Sequence, residues 1–122
     1  MHSCYPSSSD AAKRDAVMAE RLQALAHPAR LKILRLLARR DACCCKDVVL
    51  EIGLAQSTVS QHLRTLVQAG LVHYRPDRQA SRYSLDEEAV SQLAKDLGGL
   101  LESCCSVPTA ARCDELVGAG GR

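Results

Sequence analysis

The chain has 122 residues and a net charge of +2, with seven Cys, three Tyr and neither Phe nor Trp. That length suits one domain with an aliphatic core, and the scarcity of aromatic rings argues against a reader of single-stranded nucleic acid, which stacks bases on them. The odd cysteine count excludes a fully paired disulfide set in one monomer; with no apolar leader and no apolar run near ~20 residues, the chain reads as cytoplasmic, off the membrane, its thiols reduced and free to bind metal or sense redox.

Residues 1–10 are Ser-rich and polar and read as a disordered arm. The domain proper is expected over 11–105. Residues 106–122, which carry Cys113 and end near Gly118, Gly120 and Gly121, read as a flexible tail. A first helix over about 11–26 places Met18, Leu22 and Leu25 at i, i+4, i+7. His27 and Pro28 end it, and Pro28 suits the first turn of a second helix, where its missing N–H is not needed. That helix, to about residue 40, is apolar on more than one face through Leu31, Ile33, Leu34, Leu36 and Leu37, so it should be central. Asp41 is placed to cap a short third helix whose Cys45, Val48, Val49 and Ile52 share a face, and Gly53 ends it.

The fourth helix, about 56–69, is the most informative. Val59, Leu63, Leu66 and Val67 form one face; Ser57, Ser60, Gln61, Arg64 and Gln68 form the opposite one. Gly70 closes it. Two short strands over 71–75 and 81–85 follow, joined by residues 76–80. A fifth helix begins near Asp86. Its first turn holds Asp86, Glu87 and Glu88, where the helix dipole favours anions, and Val90, Leu93, Leu97, Leu100 and Leu101 make its apolar stripe.

Charge follows this order. Residues 1–52 carry nine basic and six acidic side chains, and residues 53–85 four arginines and one aspartate, whereas residues 86–122 carry three basic and seven acidic. Only the first two thirds suit an acidic partner. A short helix, a turn at Gly53-Leu54-Ala55 and a longer helix make a helix-turn-helix arrangement. The polar face of its second helix offers short donors and acceptors that reach base edges in a major groove. Arg75, Arg78 and Arg82 on the hairpin would lie along flanking phosphates, which supply affinity rather than specificity. The plain alternative is a helical bundle with a polar solvent face.

The stretches LQALAHPARLKILRLLARRDACCCKDVV and LAQSTVSQHLRTLVQAGLVHYRPDRQASRYSL resemble the ArsR/SmtB family of metal- and metalloid-responsive repressors, over about residues 17–103. The resemblance implies a mainly α, homodimeric winged helix-turn-helix with a small β-hairpin wing. Such proteins bind double-stranded operator DNA when free of inducer and release it when inducer binds. It also implies a recognition helix over 56–69, with Gln56, Ser57, Thr58, Ser60, Gln61, His62 and Arg64 facing DNA beside the wing's Arg78 and Arg82. The first and fifth helices, whose apolar stripes exceed what so small a monomer can cover, would form the dimer interface.

The inducer site is expected among the cysteines. The family's zinc site on the fifth helix needs Asp and His ligands there, and the four histidines, His2, His27, His62 and His73, all lie elsewhere. Trivalent antimony or arsenic is thiophilic and takes three thiolates on one side of the ion. At roughly 3.6 residues per turn, three consecutive helical cysteines span about 200° and cannot converge without unwinding. Cys43, Cys44 and Cys45 would therefore bind only by distorting the third helix, although the family's arsenic sensors have a Cys-x-Cys there; the alternative reading makes Cys45 a small buried apolar residue. Cys104 and Cys105, with Cys113 on a segment able to fold back or reach a partner subunit, offer better geometry and are taken as the primary site. The bland alternative there is a pair of helix-end thiols with a stray tail cysteine.

Three other readings compete. A four-thiolate site for cadmium, lead or zinc would need Cys4 with Cys43, Cys45 and Cys44. A thiol redox or persulfide sensor on the same fold predicts disulfides that release DNA without metalloid. A metalloid buffer would not bind DNA. An enzyme is not expected, because the phosphate-type loop of cysteine reductases needs Cys-x5-Arg and six residues separate Cys105 from Arg112.

Overall fold

The computed structural model describes residues 8–105. Five helices and one hairpin follow in the order α1 (Ser8–Leu25), α2 (Pro28–Arg39), α3 (Cys45–Ile52), α4 (Gln56–Gln68), β1 (Val72–Arg75), β2 (Arg82–Leu85) and α5 (Glu87–Cys105). Helix α1 starts at Ser8, inside the stretch read as an arm, with Asp10 in the first turn where the helix dipole favours a carboxylate. Residues 1–7 with Cys4, and 106–122 with Cys113, lie outside the described residues.

The core is aliphatic. Ile33, Leu36 and Leu37 of α2, Val48 of α3, and Val59, Leu63 and Leu66 of α4 are essentially inaccessible, together with Leu71 and Cys43. Helix α2 is central, as its many-sided apolar pattern requires: it packs on α1, α3, α4 and β2. His27 caps it in an extended conformation, its Nδ1 accepting from the Ala29 N–H at 3.1 Å, and Pro28 follows in the first turn.

The third helix starts differently from the expectation. Its cap is Cys44, not Asp41: the Asp47 carboxylate accepts from the Cys44 N–H at 3.2 Å, half of a capping box. Cys43 lies before the helix, in an isolated antiparallel bridge with Tyr83. Cys43 N donates to the Tyr83 carbonyl at 2.9 Å and Tyr83 N to the Cys43 carbonyl at 2.7 Å. Gly53 then ends α3 at φ 81°, the left-handed region where a β-carbon is strained.

The hairpin is antiparallel, with Val72 opposite Leu85, Tyr74 opposite Tyr83 and Arg75 opposite Arg82. Asp86 is the cap of α5 rather than part of its first turn. Its Oδ1 accepts from Ala89 N at 3.0 Å, and its backbone N–H donates to the Leu71 carbonyl at 2.9 Å. Its other oxygen lies 3.4 Å from His73 Nε2 on β1. One residue thus joins the start of α5 to the wing. Helix α5 then packs on α1. Among the described residues, no helix is long and apolar enough to cross a membrane.

Candidate nucleic-acid interface and thiol sites

Helix α4 buries Val59, Leu63 and Leu66 and turns its polar face outward. Gln56, Ser57, Thr58, Gln61 and Arg64 are exposed and Ser60 is half-buried. Ser57, Thr58, Ser60, Gln61 and Arg64 line one concavity of about 460 Å³. The sequence spacing had placed Ser57, Ser60, Gln61 and Arg64 on that face, and the structure brings them together with Thr58. On the wing, Arg78 and Arg82 are both exposed. The direct pairing of Arg75 with Arg82 is a like-charge pair, unfavourable by itself and relieved by an anion.

His62 does not join that face. It is half-buried and turned toward the α1–α2 junction. Its Nδ1 accepts from Arg30 Nε at 3.2 Å, and its ring centroid lies 4.6 Å from that of His27. Burial, then His27 and Arg30, hold its pKa below the usual histidine value and favour the neutral ring, in which the accepting Nδ1 leaves the proton on Nε2. Arg30 also donates to the Gln23 and Ala24 carbonyls at the end of α1. At the other end of α4, Arg21 of α1 donates to the Ala69 carbonyl at 3.4 Å. These braces hold the helix from behind. Periodicity does not reveal those that reach α4, because each joins residues more than thirty positions apart.

The two cysteine clusters differ in kind. Cys43 is 0% exposed and belongs to the core. Burial pushes its thiol pKa up against the opposing pull of Arg40. Cys45 is half-buried and its thiol pKa is also raised by burial, against the opposing pull of the Ser60 hydroxyl. Because Cys43 and Cys44 are extended and only Cys45 is helical, the three do not fan around one helical turn. The 200° objection to their convergence therefore falls away, and a different obstacle replaces it: Cys43 is locked in the core beneath the wing. Cys104 and Cys105 are exposed in the last turn of α5, close to the exposed Leu100 and Leu101. The five described cysteines form no disulfide with one another, and no group of three potential metal ligands is preassembled among the described residues.

Residues 27–74 match the profile described as bacterial regulatory protein, arsR family. The chain is 40% identical over 75 residues to the HTH-type transcriptional regulator Rv0081 of Mycobacterium tuberculosis, covering 62% of this chain and 66% of that protein, just under two thirds of its length. It is 36% identical to a homologue of the cadmium-resistance regulator CadC from Staphylococcus aureus, covering 70% of this chain and 72% of that one. Among solved structures, the homodimeric winged helix-turn-helix DNA-binding domain of Mb0332 from Mycobacterium bovis aligns with a TM-score of 0.63 at 28% identity, covering 80% of this chain and 90% of that one. These relatives are regulators, not enzymes. With its helix-turn-helix, its wing and these matches, the chain belongs to the ArsR family of bacterial regulatory proteins.

Proposed function

We propose that the protein is a homodimeric repressor that holds operator DNA with α4 and the wing and is released when trivalent antimony or arsenic binds thiolates of Cys104, Cys105 and Cys113. The observation that carries the inducer assignment is the exposure of Cys104 and Cys105, against the burial of Cys43. A soft trivalent ion needs deprotonated sulfurs that can approach from one side. Two exposed neighbours at a helix end meet that need, and Cys113, eight positions on, is assigned as the third. The dimer is assigned to α1 and α5, where Val17, Leu100 and Leu101 are 46%, 46% and 54% exposed. Displacement of α5 has a short route to the wing through Asp86 and its contacts with His73 and Leu71.

A second reading places the ion at Cys43–Cys45 with Cys4, as a site for a soft divalent ion; the likeness to the CadC homologue favours it. Ligation there would act on the DNA reader directly, through Ser60 and Tyr83. The discriminating experiment follows fluorescence anisotropy of the full-length protein on a duplex selected from a random pool, titrated with antimonite, arsenite, cadmium and a persulfide donor. Release at stoichiometric antimonite or arsenite, with none by the persulfide donor, is expected. Release by cadmium alone supports the second reading, and release by persulfide alone contradicts both.

A further inference from the structure

Between α4 and the hairpin lies a crevice of about 270 Å³, lined by Ser60, Arg64, Val67, Tyr74 and Tyr83. We propose that it seats a backbone phosphate of the bound duplex, gripped by Ser60, Arg64 and Tyr83, so that Arg64 anchors the DNA strand and does not read a base. The proposal rests on the DNA-binding reading above and assigns roles within it.

The lining offers one guanidinium and three hydroxyls and no carboxylate, the chemistry of an anion seat. Tyr74 closes one side: its hydroxyl is 2.9 Å from Ser81 Oγ, and its ring lies 5.4 Å, centroid to centroid, from that of Tyr83. Tyr83 is half-buried. Burial, with Cys45 and Tyr74, pushes its phenol pKa up against the pull of Arg64, so the hydroxyl keeps its proton and can donate. Position also separates Arg64 from the other exposed residues of α4. It borders both the front concavity and this crevice, whereas Ser57, Thr58 and Gln61 line only the front. A duplex lying with α4 in its major groove runs a backbone strand along the side where the wing stands.

The seat also rests on the cysteine cluster. The Tyr83 backbone is bridged to Cys43. One of the three gripping residues is therefore held by a cysteine.

The test measures anisotropy of the full-length dimer on its selected duplex and on every single-base-pair variant of it, over a series of salt concentrations. Arg64→Gln should weaken binding by a similar factor on all sequences and reduce the salt slope by about one. Tyr83→Phe should weaken binding about ten- to a hundredfold, also uniformly, as expected for one lost hydrogen bond to a charged group. Relaxed preference at a single base pair in Arg64→Gln, or a Tyr83→Phe protein that binds as wild type with an unchanged melting temperature, would overturn the proposal. Wild-type protein that binds no duplex would instead overturn the DNA-binding reading itself.

Discussion

Cys43–Cys45 and Cys104–Cys105 are runs of the same residue in one small domain, yet the fold treats them oppositely. The first run enters a helix from an extended bridge: Cys43 is sealed in the core, Cys44 caps α3, and Cys45 is half-buried in its first turn. The second run ends a helix in solvent. Cysteine is both a small apolar residue and a soft ligand. Burial decides which property is expressed, because a thiol that burial keeps protonated is a weak nucleophile. A buried cluster is coupled to the structure around it, and an exposed cluster is available to a ligand. A sensor needs both qualities, which the proposed function divides between the end of α5 and the path through Asp86.

The largest effect that can break this contrast is chemical. Under native conditions iodoacetamide should alkylate Cys104 and Cys105 at least about tenfold faster than Cys43, since thiolate fraction and exposure set the rate. Peptide mapping by mass spectrometry reads the ratio, and equal rates would mean that the core opens at the Cys43–Tyr83 bridge. Stability comes next. Cys43→Ser puts a hydroxyl among apolar side chains and should cost about 1–3 kcal/mol in urea unfolding. Cys104→Ser should stay within about 0.5 kcal/mol of wild type.

Two smaller effects probe how rigid the DNA-reading half is. The fold favours neutral His62, so its contribution is full above the unfolded histidine pKa of about 6.5. It should be lost as pH falls below that value toward the lower folded pKa. In a melting series across this range, His62→Asn, which keeps a side-chain acceptor for Arg30, should flatten the slope; a slope identical to wild type would remove His62 as its source. The smallest effect concerns Asp47, whose carboxyl is held below the usual range by the Cys44 N–H. Asp47→Ala should loosen the start of α3 and raise the alkylation rate of Cys45 while leaving Cys104 unchanged. Unaltered Cys45 reactivity would show that the cap does not shield it.

Much of this was legible in the sequence because it is local. The i, i+4, i+7 spacing of Val59, Leu63 and Leu66 marks the buried side of α4. Pro28 and Gly53 mark helix ends because one lacks an N–H and the other tolerates positive φ. Where reading failed, a contact distant in sequence had won. Cys43 is extended because it pairs with Tyr83, forty positions away, so the cluster does not obey helical spacing. His62, which the family resemblance put among the DNA-facing residues and the helical spacing did not, faces α2 because Arg30 and His27 hold it there. Asp86 caps α5, one position before the first turn in which composition put it, and Cys44, its N–H held by Asp47, caps α3 in place of Asp41.

The central claim is that the exposed pair senses the inducer. The most direct measurement is an antimonite titration of the protein–duplex complex by anisotropy, comparing wild type with Cys104→Ser/Cys105→Ser. The account predicts that the double variant binds DNA as tightly as wild type and is no longer released at antimonite concentrations that fully release wild type. Release of the variant at the same concentrations as wild type would contradict it and move the sensing site to Cys43–Cys45.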